Sequence, residues 1–326
     1  PHLHLLKGQA TGEFLDQPLA NADAVAGQIS RIQQLDFNQD GWSDFVLYTL
    51  DGSDQLFINQ QGQGFKALLL EDSEASNSLP AHSAGGDLAD INGDGVNDLL
   101  VANHKGNSLK SPLIGSHDYV FSASNLSYSP LIDQHLGQDL VAGDLNHDGV
   151  VEIVISLAPN RAPQTATTAL TPKLEGSLYI IYGDGDLDFE NNQHAFLGSP
   201  KDTGGPIKLL DLNADHQLDI VHAYSRVVNA DTNVTGLQAY LNTSTSATCF
   251  TNVSAHILPE LDIQTWLHSK SEMGIHPIRD IQITDANQDG KLDLWVQFQA
   301  DITHSGLLLQ QDNQFRIAGI KHGTEN

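Results

Sequence analysis

The chain has 326 residues, with 41 Asp and Glu against 15 Lys and Arg and a formal charge of −26. That balance argues against nucleic acid and anionic membranes as partners and favours cations. A hydrophobic content of 40% with 28 Gly and 12 Pro reads as a turn-rich globular protein of one large or two ordinary domains, and no apolar run reaches the length a membrane helix needs.

The first residues, PHLHLLKGQATGEF, lack a basic start and a long apolar stretch, so they do not read as an intact signal peptide and imply a mature or trimmed chain. HLHLLKG followed by GEFLDQPL reads as a two-stranded hairpin, with His2 and His4 on one strand face as a surface pair. Next comes DFNQDGWSDFV, and its pattern recurs as DINGDGVNDLL, DLNHDGVVEIV, DLNADHQLDIV and DANQDGKLDLW. The starts at Asp36, Asp90, Asp144, Asp211 and Asp285 lie 54, 54, 67 and 74 residues apart, the signature of a repeat architecture.

The spacing suits calcium, which takes oxygen ligands from carboxylates, amides and backbone carbonyls. In the first loop the expected ligands are Asp36, Asn38 and Asp40 at positions 1, 3 and 5, the carbonyl of Trp42 at position 7, and Asp44 at position 9. The second loop has Asp90, Asn92, Asp94, Val96 and Asp98; the third has Asp144, Asn146, Asp148, Val150 and Glu152. The fourth has Asp211, Asn213, Asp215, Gln217 and Asp219, and the fifth Asp285, Asn287, Asp289, Lys291 and Asp293. Gly at position 6 allows a sharp turn with positive φ; His216 replaces it in the fourth loop, at about 1 kcal/mol of strain, which makes that site the weakest. Turn chemistry accounts for an Asp-Gly pair, but not for acids at positions 1, 5 and 9 five times over. An EF-hand requires a Glu at position 12 and flanking helices. Here position 12 is Leu47, Val101, Ile155, His222 or Val296, and the flanks are β-branched and aromatic strand sequences such as DFVLYTL and EIVISLA.

The repeated motif resembles the FG-GAP and VCBS repeats, the calcium-loop blades of integrin α-subunit propellers and of many secreted bacterial proteins. GSLYIIYGDGD is similar to the family's third strand, and LQAYLNTSTSATCFTNVS to its third-strand/fourth-strand hairpin. The resemblance implies an all-β protein, a β-propeller of four-stranded antiparallel blades with one structural Ca2+ ion, about five in all, between the first and second strands of each blade. Calling the strands A to D, blades start near 30, 84, 140, 206 and 278 within a single domain over 1–326. The N-terminal hairpin over 1–20 looks like a C–D pair without its A–B motif. A trimmed chain, a blade completed by another segment or chain, and ring closure onto the last blade all accommodate it; a partial sixth blade is the favoured arrangement.

The growing period places insertions at 157–176, 225–236 and 256–277, the first two as B–C loops and the third as a D–A connection. All three fall on the face opposite the ion loops, where per-repeat insertions often mark a binding face. Arg161, Trp266 and His268 are the ligand-binding candidates there, with a short helix expected around LDIQTWLHSK. Cys249 stands alone, so there is no internal disulfide and no thiolate zinc site. GQGFKA lies in a strand hairpin and is not a dinucleotide fingerprint; GDGDLD reads as a C–D turn, and sequons begin at Asn125, Asn233, Asn242 and Asn252. No residue pair demands catalysis. The sequence therefore points to a secreted, cell-surface or periplasmic propeller that binds a protein or glycan without inserting into a membrane. A structural subunit of a larger extracellular assembly and a polysaccharide lyase or hydrolase on the same scaffold are the alternatives.

Overall fold

A computed structural model of the chain describes residues 4–9, 11–18, 29–49, 54–69, 83–103, 113–114, 122–123, 136–158, 175–185, 192–229, 232–243, 249–259, 278–298 and 305–321. The protein is an all-β propeller. The N-terminal strands β1 (His4–Gly8) and β2 (Phe14–Pro18) form a separate two-stranded sheet. Blade one is β3 (Ile29–Leu35), β4 (Asp44–Thr49), β5 (Gln55–Asn59) and β6 (Phe65–Leu69). Blade two is β7 (Ser83–Ala89), β8 (Asp98–Asn103), β9 (Leu113–Ile114) and β10 (Ser122–Ala123). Blade three is β11 (Leu136–Gly143), β12 (Glu152–Ala158), β13 (Leu178–Ile181) and β14 (His194–Leu197). Blade four is β15 (Asp202–Leu210), β16 (Asp219–Asn229), β17 (Thr232–Asn242) and β18 (Phe250–Asn252), followed by a single helical turn, α1 (Ser254–Ile257). Blade five is β19 (Ile278–Thr284), β20 (Asp293–Phe298), β21 (Ser305–Gln311) and β22 (Gln314–Lys321).

Within each of these five sheets the strands pair antiparallel in chain order. Blade two is reduced: its outer strands have two residues each, and β8 meets β9 through Leu99 and Leu113 alone. The A strands of blades three and four begin at Leu136 and Asp202, earlier than the sequence pattern placed them.

Strand periodicity explains how the blades stack. In the B strands of blades one to three both faces carry apolar residues, so alternate residues serve different neighbours. In β12, Ile153 and Ile155 pack with Leu100 and Ala102 of blade two, whereas Val154 packs with Ile207 and Ile220 of blade four. Phe37, Val46 and Tyr48 of blade one meet Leu99 and Val101 of blade two, and Val221 and Ala223 of blade four meet Ile281 and Val296 of blade five. The core is thus a series of sandwiches between blades.

The A strands carry the polar counterpart. The Asp87 carboxylate of blade two accepts the Ala142 N–H of blade three at 3.0 Å, and the Asp139 carboxylate of blade three accepts the Ile207 N–H of blade four at 2.9 Å. Arg31 of blade one runs over Gly85, where a side chain would collide with it, to pair with buried Asp139. The same guanidinium lies 3.6 Å from Asp280 of blade five, which Lys208 of blade four approaches at 3.8 Å. Five consecutive blades are therefore tied through carboxylates on their A strands. Removing one partner of a buried pair leaves an uncompensated charge. Arg31→Ala is expected to lower unfolding free energy by about 3–5 kcal/mol, measured by chemical denaturation, and adding Asp139→Asn to it is expected to restore part of the loss.

Candidate metal centres

Each loop between an A and a B strand folds around its own acids. Asp36 takes the N–H of Asp40 on one carboxylate oxygen at 3.1 Å and that of Gly41 on the other at 2.9 Å. The Asn38 amide oxygen accepts from Asp40 N–H at 3.2 Å, and Asp40 accepts from Trp42 N–H at 2.9 Å. The same hydrogen bonds close the loops that start at Asp90, Asp211 and Asp285. All the ligand residues expected from sequence at positions 1, 3, 5 and 7 thus gather within single tight turns.

Position 9 plays a distinct part. Asp44, Asp98, Glu152, Asp219 and Asp293 are buried. One oxygen of each accepts the N–H of the residue at position 2: Phe37, Ile91, Leu145, Leu212 and Ala286 in turn. In blades one, four and five the other oxygen accepts from strand C, from the N–H of Asn59, Asn242 and Gln310 at 2.7, 2.7 and 2.9 Å. The sequence reading did not single out position 2. Its signal was the apolar residue after the first Asp in every loop, and Phe37, Ile91, Leu145 and Leu212 are core residues.

The turn also needs two left-handed residues. Position 6 has φ of 83°, 84°, 87° and 81° at Gly41, Gly95, Gly149 and Gly290, and 68° at His216. Position 4 is left-handed too, at Gln39, Gly93, His147, Ala214 and Gln288. Loop four is therefore the one with two non-glycine residues where both Ala and a β-substituted side chain are disfavoured.

The donor set is all oxygen, which fits a hard divalent cation. The third loop supplies an independent sign of the fit: Asp144 Oδ1 is buried without a hydrogen-bond partner, and Asp148 N–H turns to Asn146 alone. Clustered charge raises the energy of the loops as they stand. Burial, opposed by the Leu145 N–H and reinforced by Asp148 and Asp144, pushes Glu152 up to about 7; burial and the loop's other acids push Asp219 up to about 6. Among the described residues no three His, Cys, Asp or Glu side chains are gathered closely enough to hold a metal ion by themselves.

The insertion at 225–236 is not the loop expected from sequence. It extends β16 and β17 into an arm, with Arg226 opposite Val234 and Asn229 opposite Thr232. Arg226 is held by Asp202 through two nitrogens, one at 2.9 Å, and Tyr224 lies against Gly236. Arg161, Trp266, His268 and Asn125 lie outside the described residues, as do most of 157–176 and 256–277. The sequon residue Asn242 is buried, with its amide donated to the Leu145 carbonyl.

Residues 36–101 match the family model of the FG-GAP-like repeat. This segment runs from the first loop through the second and ends in β8. Among solved structures, an ancestral GH74 enzyme aligns with 91% of the chain at 10% identity and a TM-score of 0.45, and the chain spans 38% of that enzyme's length. BBS1N, crystallised with ARL6DN and soaked with mercury, aligns with 93% of the chain at 12% identity and a TM-score of 0.43, over 84% of its own length. No curated protein matches the chain.

Two outcomes are expected from the acidic loops and their surroundings. His216→Gly relieves a left-handed side chain worth about 1–2 kcal/mol against a glycine entropy cost of about 0.5–1. A net gain of about 0.5–1 kcal/mol is therefore expected in the melting of the variant, with no such gain for His147→Ala. The second concerns His222, fully buried between the Ala223 carbonyl at 2.8 Å and Gln238 Oε1 at 2.9 Å. Burial lowers its pKa to about 4 despite both hydrogen bonds. Between pH 6.5 and 4 the unfolded chain then binds the extra proton, so the stability His222 contributes is complete above 6.5 and is lost as pH falls towards 4. The stability difference between the wild type and His222→Gln is expected to shrink by about 1.4 kcal/mol per pH unit through that window; denaturation curves at stepped pH showing a constant difference would contradict it.

Proposed function

We propose that the chain is a calcium-stabilised propeller that works outside the cell and presents the face opposite its ion loops to a protein or glycan. The observation that carries this reading is the loop itself: the same oxygen set at positions 1, 3, 5, 7 and 9 five times, with a buried, unpartnered Asp144 Oδ1 in one copy. The residues that would hold the ions are Asp36, Asn38, Asp40 and Asp44 with the Trp42 carbonyl in the first loop, and their counterparts in the other four. Bound calcium would neutralise the clustered carboxylates and pin each A–B turn. Five ions would take the formal charge from −26 to −16.

Extracellular modules hold calcium with Kd of about 10⁻⁴–10⁻³ M, so at roughly millimolar calcium each site adds about 0.4–1.4 kcal/mol. Five independent sites add about 2–7 kcal/mol, comparable to the stability of a whole domain. Cytosolic calcium is far too dilute to fill such sites, which supports an extracellular setting.

The partner face is supported by the blade-four arm. A–B and C–D turns share one end of a blade, so the β16–β17 tip stands at the other. Val227 and Val234 near that tip are 57% and 40% exposed, on a hairpin stiffened by Arg226 and Asp202. A rigid arm with exposed apolar residues loses little entropy on binding. Arg161, Trp266 and His268 are proposed to contribute to the same face.

In excess chelator the melting temperature is expected to fall by about 3–10 °C relative to millimolar calcium, given the entropy of unfolding of a chain this size. An unchanged melt removes the calcium reading. In the calcium-loaded protein, Val227→Glu with Val234→Glu is expected to abolish hits on a glycan or surface-protein array while leaving the melt alone; hits that survive move the partner face elsewhere.

A further inference from the structure

Two amide side chains, buried Asn242 and half-buried Gln310, join neighbouring ion loops. Asn242, at the end of β17, gives its backbone N–H to Asp219 of the fourth loop at 2.7 Å and its side-chain Nδ2 to the carbonyl of Leu145 in the third loop at 2.6 Å. Gln310, in β21, repeats this one blade on: its N–H goes to Asp293 of the fifth loop at 2.9 Å and its Nε2 to the carbonyl of Leu212 in the fourth at 2.9 Å. Leu145 and Leu212 give their own N–H groups to Glu152 and Asp219. A continuous path therefore runs from Glu152 through Leu145 and Asn242 to Asp219, and on through Leu212 and Gln310 to Asp293. Leu145, Leu212 and Asn242 are 2%, 5% and 2% exposed, so water is in no position to replace the Asn242 bonds, while Gln310 is half-buried. Blade one lacks the link. Asn59 gives its N–H to Asp44, but its side chain turns back to the carbonyl of Ser43 in its own loop, at 3.0 Å in an exposed position.

We infer that ion occupancy is coupled among the third, fourth and fifth loops through Asn242 and Gln310, and that the first loop binds independently. This rests on the calcium reading above. An ion drawn into the fourth loop fixes its position 2 residue and its position 9 carboxylate. Leu212 then presents a settled carbonyl to Gln310, and through Gln310 a settled donor to Asp293. The fifth loop has less left to order when its own ion arrives, which is positive coupling between distinct sites. Asn242 and Gln310 are positioning residues in this scheme; neither is a ligand.

The three tryptophans make the loops separable. Trp42 occupies position 7 of the first loop, and Trp295 lies two residues beyond Asp293 in β20. Terbium, which takes the same oxygen donors, is the probe, read by luminescence sensitised from the nearer tryptophan. In the full chain carrying Trp42→Phe and Trp266→Phe, Trp295 reports the fifth loop. Silencing the fourth loop with Asp211→Asn and Asp215→Asn is expected to weaken terbium at the fifth about two- to tenfold, the worth of one hydrogen bond. With Gln310→Leu in place the same silencing is expected to change nothing further. Gln310→Met, which keeps the chain length, adds no charge and cannot donate, is expected to behave as Gln310→Leu, so a packing defect is told apart. With Trp42 retained and Trp295→Phe instead, the first loop is expected to ignore the fourth. An absence of sensitised luminescence at both reporters sinks the calcium reading itself. Terbium binding at the fifth loop that is indifferent to the fourth, or a loss shared equally by the first, overturns the coupling and leaves that reading standing.

Discussion

A carboxylate at position 9 of each loop is the element on which the blade geometry turns. A buried ionised group is tolerated only where its oxygens are satisfied. Asp44, Asp219 and Asp293 meet that requirement with one oxygen on the backbone N–H of position 2 and the other on a backbone N–H of strand C. The first bond closes the loop; the second fixes the register of a strand that is not adjacent in sequence. A shift of one residue would send every apolar side chain of the B strand to the wrong neighbouring blade. Burial is the main cause of the upward push on Glu152 and Asp219, and the nearby acids at positions 1 and 5 add to it. The carboxylate that sets the register thus also adds its charge to an all-oxygen loop.

The axis of the propeller solves the opposite problem. Strands stacked face to face bury apolar residues readily, but the A strands crowd together at the centre, where backbone N–H groups of one blade face the side chains of the next. Asp87 and Asp139 supply acceptors for Ala142 and Ile207, and each brings a charge that must be balanced. Arg31 and Lys208 supply the balance around Asp139 and Asp280. Gly85 belongs to the same arrangement, since any side chain there would occupy the path of the Arg31 guanidinium.

Legibility from sequence followed the range of the interaction. The five loops were readable because their ligands lie within nine residues, and the B strands because β-branched runs follow each loop at once. The second left-handed position was missed: Gln39, His147, Ala214 and Gln288 carry no glycine signal, and the conformation is imposed by hydrogen bonds of the acids on either side. Arg31 gave no local sign of its role, because its partners Asp139 and Asp280 lie in other blades. Asn242 read as a glycosylation sequon, whereas its side chain is committed to Leu145. The segment 225–236 read as a loop because the lengthening repeat period marks it as an insertion. The pairs Ser225–Thr235 and Arg226–Val234 show that the flanking Val and Thr carried strand propensity through it.

That misreading bears on how the two faces differ. A loop insertion adds reach without stiffness, but an extended hairpin anchored to β15 adds both. Arg226 lies opposite Asp202 in the ladder and is tied to it by charge-assisted bonds, so the arm is fixed to the A strand of its own blade and not only to its base. Tyr224 covers Gly236 across the ladder and packs beside Arg226, a cross-strand arrangement that stiffens the stem before the exposed valines begin. Blade four is also the middle member of the relay through Asn242 and Gln310, so the sheet that bears the arm is held by both of its neighbours. Blade two, with two-residue outer strands, shows no such relay among the described residues.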